Sequence, residues 1–209
     1  EILTHIGHSE KVLVMRIFIA VLVLIFSFQS LTKADDISDF EIEGMSIGDS
    51  ALDFYDFKEI NSWKKLFYRG DTKYFKVDTP YKVGDYDDLA FHFKTNDSKF
   101  IIYELSGGKY FDNNISECLE HKKKVNSDIQ SITKNLEKDS HRYYYEYLEK
   151  GESYADIDDY YFANGDTIRL WCVDWSNLVE NKLNFDDNFS ISLSPKEHTD
   201  WLNKAHKDN

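Results

Sequence analysis

Alternation of apolar and polar positions is clearest over residues 166–175, D-T-I-R-L-W-C-V-D-W. On an extended chain Ile168, Leu170 and Cys172 fall on one side, and Trp171, Val173 and Trp175 on the other. That pattern predicts a strand inside its sheet, covered on both faces. Asn164-Gly165, a tight-turn dipeptide, stands just before it, and an aromatic run over 154–163 stands before the turn, so the two runs read as a hairpin. Shorter alternations predict strands at 40–42, at 66–68 and 73–77 around Gly70-Asp71, at 89–94, and at 189–193. A further strand over 100–111 is expected to bulge at Gly107-Gly108. Residues 142–148 hold four tyrosines and fit either an edge strand or an ordered loop.

The one long helical stripe is Cys118, Leu119, Lys122, Val125, Ile129, Ile132 and Leu136, which predicts a helix over 116–138 with Asn113 or Asn114 as its cap. On that stripe Lys122 is expected to lay its stem on the core and reach out to water. Short helices are predicted after Asp49 or Ser50 and over 57–63. A final helix runs from the capping box Ser194-Pro195-Lys196-Glu197 to about Ala205. The expected architecture is a single α+β domain, a mainly antiparallel sheet packed by one long helix and several short ones.

Composition and the amino-terminal segment suggest where this domain works. The net charge is −13 with a pI near 4.9, which argues against nucleic acid and anionic lipid surfaces as partners, since both require basic patches. Met15 and Arg16 precede an apolar run to Phe28, and small residues at Thr32 and Ala34 lead into Asp35. Residues 15–34 are therefore read as a signal peptide, 1–14 as an upstream non-native extension and 35–209 as the exported domain. A periplasmic or secreted location follows; the alternative is an inner-membrane anchor through a retained 15–34, although that run is short of the ~20 residues of a membrane span. No cysteine ends the run, so no lipid anchor is expected.

In an oxidising compartment Cys118 and Cys172, the only cysteines, are expected to form a disulfide pinning the long helix to the central strand. Cys118 and His121 have a spacing metals use, but two ligands are not a site, and neither metal nor cofactor is expected. Asp85–Asp88 and Asp156–Asp159 resemble calcium ligands, yet Tyr160 and Tyr161 stand where an EF-hand needs an oxygen ligand and glycine; they read as solvated turn acids. Tyr143, Tyr145, Trp171 and Trp175 are candidate ligand-contact aromatics. With Asp158, Glu146 and Asp174 nearby they raise the alternative of a glycan-acting hydrolase, which needs two carboxyls across a cleft. No catalytic, phosphate-binding or dinucleotide motif occurs.

Ile42-Glu43-Gly44-Met45-Ser46-Ile47-Gly48-Asp49-Ser50, with Tyr110–Cys118 and the segments Asn164–Asp166 and Cys172–Ser176, resembles a group of uncharacterised exported proteins of marine alphaproteobacteria. Gly44-Met45-Ser46 entering two short helices is similar, more distantly, to the opening of outer-membrane assembly lipoproteins and of the β-lactamase-inhibitor-like fold. The resemblance implies export and carries no activity or catalytic residues. The function expected from the sequence is a non-enzymatic binding or interaction module for a protein or small-molecule ligand, with membrane contact only if 15–34 is retained.

Overall fold

The structure, a computed structural model, describes residues 36–68, 71–133, 136–146, 148 and 152–207. The expectations for 1–14 and 15–34, for the Arg69-Gly70 turn and for Tyr147 lie outside the described residues.

Eight strands form one antiparallel sheet: β1 (Leu66–Tyr68), β2 (Asp71–Asp78), β3 (Asp88–Lys94), β4 (Glu104–Tyr110), β5 (Glu137–Tyr144), β6 (Tyr154–Tyr161), β7 (Thr167–Asp174) and β8 (Asn188–Ser194), in the order β1-β2-β3-β4-β8-β7-β6-β5. With helices α1 (Phe57–Ser62), α2 (Ile115–Ile132), α3 (Asn177–Leu183) and α4 (Lys196–Lys207) they make a mixed α+β domain. The β6–β7 hairpin turns at Gly165, whose N–H donates to the Phe162 carbonyl while its φ of 90° occupies the region glycine adopts without cost.

Residues paired across a sheet share a face, and the register divides β7 cleanly. Ile168, Leu170 and Cys172 pair with Leu193, Ile191 and Phe189, and all six are buried in the main core. Helix α2 lies on this face, tied down by the Cys118–Cys172 disulfide (Cα–Cα 5.9 Å). The sheet's other face carries Arg169, Trp171 and Val173 beside Ser192, Ser190 and Asn188. Contrary to the cover expected there, this second face is only partly roofed: α4 packs Trp201 and Ala205 against Tyr74 near the β1–β3 end, and Trp171 stays half-buried.

Several local expectations change for tertiary reasons. Helix α2 stops at Ile132, because Thr133 is extended and its hydroxyl and N–H both bond the Ile129 carbonyl, which frees 137–144 to pair with β6. Gly107-Gly108 is no bulge; both pair in register with β3 and β8. A side chain at Gly107 would come within 2.6 Å of the Tyr86 ring, so glycine there serves close packing. Strand β4 starts only at Glu104, since Phe100 has φ 49°. Residues 40–42 make one isolated bridge, Ile42 to Met45, because Glu43 and Gly44 both take positive φ. At the start of α4 the Lys196 N–H donates to the Asp166 carboxylate (2.8 Å), while Glu197 reaches instead to Lys73 (3.0 Å) and the Tyr74 hydroxyl (3.1 Å). A distant acceptor displaces the local capping box.

Candidate functional site

The face of the sheet opposite α2 is hollow. A cavity of about 790 Å³ lies over β4, β8, β7 and β6, with α4 on one side and, on the other, Tyr143 of β5 and Tyr145 just beyond that strand. A second depression of about 430 Å³ continues it toward Asp88 and Tyr110, and the two share Lys76, Ser106 and Trp171. The floor follows from strand periodicity: Ser106, Ser192 and Arg169 stand in one transverse row, and Ser190, Trp171, Ile157 and His141 in the next.

Three of the four candidate aromatics meet here. Tyr143, Tyr145 and Trp171 line the cavity. Trp175 does not line it; it backs Tyr145, ring centroids 5.0 Å apart, and rests on Phe185. The suggested acid Asp158 is on the opposite face, bonded to Ser140 and Asn126 and paired with Lys122 and Lys138. Asp156, Asp158 and Asp159 are strand residues with cationic partners, not solvated turn acids: Lys122 and Arg142 hold Asp156, and Arg169 grips Asp159 with two bonds of 2.6 and 2.9 Å. Burial works against the charge of Asp156, yet bonds from Lys122 and Arg142 hold its pKa below the ordinary value. Lys122 thus ends on β6 rather than in open solvent; it is 5% exposed and donates to the Asp156 carbonyl and carboxylate. Cys118 is consumed by the disulfide, so the Cys118/His121 pair is not a ligand set, and His121 packs half-buried on Phe189. Among the described residues no group of three or more His, Cys, Asp or Glu side chains is placed to hold a metal ion.

The cavity also holds a titratable cluster that no sequence motif marks. Glu104 on β4, His92 on β3 and His198 on α4 are all buried and all line the cavity. The Ser106 hydroxyl donates to Glu104 Oε1. Glu104 Oε2 lies 3.4 Å from His92 Nδ1, which lies 2.6 Å from His198 Nε2; His92 Nε2 is 3.4 Å from the Tyr68 hydroxyl. His198 Nδ1 is buried without a hydrogen-bond partner among the described residues. Burial, opposed by the Ser106 bond and by Lys76, pushes the Glu104 carboxyl up to about 7. Burial, with His198 and Lys76 nearby, holds His92 far below the ordinary histidine range. Burial and Lys73 bring His198 down to about 4. The arrangement suits a ligand with an apolar or π face for Trp171 and Tyr143, and hydroxyls or charge for Ser192, Thr167 and the Glu104 cluster. Polar positions in otherwise apolar strands were the available signal: His92 among Leu89, Phe91 and Phe93, and Glu104 beside Leu105.

Compared with family models, with curated proteins and with solved structures, the chain matches none, and the cavity is read from its own chemistry.

Proposed function

We propose that this chain is an exported, non-catalytic binding module that takes a small organic ligand on the open face of its sheet. The observation that carries the reading is the cavity itself: about 790 Å³, within the ~300–1,000 Å³ of small-molecule sites, with aromatic side chains set among more numerous polar ones. The buried disulfide supports an oxidising compartment, in keeping with the leader read at 15–34. Among the described residues no helix is long and apolar enough to cross a membrane. A two-carboxyl hydrolase is less well supported, because Asp158 faces away and Glu104 is the one carboxylate among the described residues that line the cavity, Asp78 and Asp88 lining only the adjoining depression.

The test is a ligand screen read by thermal unfolding and tryptophan fluorescence. A ligand at a hundred times its Kd adds about 2.7 kcal/mol of stability, or roughly 5–10 °C in Tm for a domain of this size, and it changes the emission of Trp171. Trp171→Ala, or Tyr143→Ala if the first folds poorly, abolishes both responses. Ligands whose effects survive both substitutions refute the assignment to this face. Amino-terminal sequencing of the exported product tests the compartment, with Asp35 expected as the first residue.

A further inference from the structure

We propose, resting on the binding role assigned above, that the cavity is selective for an organic ammonium group, with Glu104 as its counter-ion. Among the described residues most charges of the open face have a partner of opposite sign; half-buried Asp88 instead accepts from the Tyr110 hydroxyl, and Glu104 is the buried acid of the cavity without a lysine or arginine. Lys76 has Asp78 at 2.8 Å, Arg169 has Asp159 at 2.6 Å, and Lys73 and Lys94 share Glu197 at 3.0 and 3.5 Å. Glu104 has no lysine or arginine within 4 Å among the described residues; its near neighbours are the Ser106 hydroxyl and His92. His92 is no substitute cation, since it is 4% exposed with its Nδ1 2.6 Å from Nε2 of His198, and burial keeps both rings neutral. Tyr68 completes the surround, and Lys76 and Asp78 act on Glu104 from opposite signs at longer range.

A buried carboxyl without a cation either holds its proton or waits for a positive partner, because an isolated buried carboxylate is expensive. A ligand that brings the cation supplies the missing partner and releases the proton. The walls favour the same chemistry: Trp171, Tyr143 and Tyr145 line the cavity, and aromatic faces attract ammonium groups most where water is excluded. A chain of net charge −13 also draws cations toward itself over the range of the Debye length. The unpartnered Nδ1 of His198 offers one further polar contact, for a hydroxyl or amino group on the same ligand.

Choline, ethanolamine, the uncharged analogue of choline in which carbon replaces nitrogen, and a neutral hexose are titrated into the full chain by calorimetry. Measurements at pH 8 and pH 5.5 use buffers of different ionisation heat. Choline or ethanolamine is expected to bind more than tenfold tighter than the uncharged analogue. The affinity should weaken about tenfold per pH unit below 7, with a proton released to buffer at the lower pH. Glu104→Gln should remove the preference for charge, while retained binding of the uncharged analogue reports an intact cavity. Equal binding of choline and its analogue, or an unchanged preference in Glu104→Gln, overturns the ammonium assignment and leaves the cavity reading standing, as does a hexose that binds where both amines fail. No binding by either amine at millimolar concentration also overturns it. Binding of any of the four that survives Trp171→Ala and Tyr143→Ala overturns the cavity reading itself.

Discussion

Replacing Glu104 with glutamine keeps the shape of the side chain and an oxygen to accept the Ser106 hydroxyl, but it removes the proton. In the folded chain burial raises this carboxyl from 4.5 to about 7. Between those values the folded protein holds a proton that the unfolded chain has lost, so stability falls as pH rises through the interval. The contribution is complete below 4.5 and spent above about 7. A displacement of that size corresponds to about 3 kcal/mol, an order-of-magnitude figure applied here to a side chain only 6% exposed. The histidines act in the opposite direction: His92 and His198, both depressed, lend stability that is present above 6.5 and lost as pH falls through their folded values. Urea unfolding of wild type and Glu104→Gln at half-unit steps from pH 4.5 to 8 isolates the Glu104 contribution, because the distant paired aspartates cancel in the difference and the depressed histidines change stability in the opposite direction. Glu104→Gln should gain about 3 kcal/mol on wild type between the two ends of that range. A difference that stays flat, or one that turns against the variant at high pH, refutes the claim that Glu104 is a desolvated acid without a cation.

Three further outcomes test the scaffold. Cys118→Ala with Cys172→Ala opens a loop of sequence separation 54, worth about 4 kcal/mol in the chain-entropy account; the urea midpoint should fall by roughly 2 M, and a fall of less than about 0.5 M would show that packing alone holds α2 to β7. Lys122→Met leaves the buried Asp158 short of one of its two cations and should cost about 3 kcal/mol in equilibrium unfolding near pH 7, with much of that loss disappearing when Asp158→Asn is added. Gly107→Ala forces the Tyr86 ring aside and should cost about 1–3 kcal/mol by the same measurement, relieved by Tyr86→Ala if the contact is the cause.

The strands were legible wherever one face is buried. The pattern at 166–175 and 189–193 yields β7 and β8 within a residue or two, and the stripe from Cys118 to Ile129 yields α2 and the half of the disulfide it carries. The errors lie where a partner far along the chain decides. Asp166 caps α4 from thirty residues away, Tyr86 dictates glycine at 107, and Lys122 points at Asp156 and Asp158 because β6 sets those two on the α2 face. The cavity was half legible. Tyr143, Tyr145 and Trp171 could be grouped by side-chain type, but Glu104, His92 and His198 belong to three elements, with a sequence separation of 106 between the two histidines. No periodicity connects them; only the return of α4 across β3 does.

The disulfide has a consequence for the cavity as well as for stability. Side chains alternate along β7, so a one-residue slip in register would send every one of them to the opposite face. Cys172 is the position on β7 held covalently, by a bond to a helix that lies on one side of the sheet. As long as Cys172 faces α2, Arg169 and Trp171 must face the cavity, three and one residues away at odd spacing, and Ser192 and Ser190 follow through their pairing with β7. Helix α2 thereby fixes the composition of a surface it never touches. The hollow face can carry serines, a half-buried tryptophan and a desolvated carboxyl, a combination too polar to define register by hydrophobic burial, because register is defined from the other side.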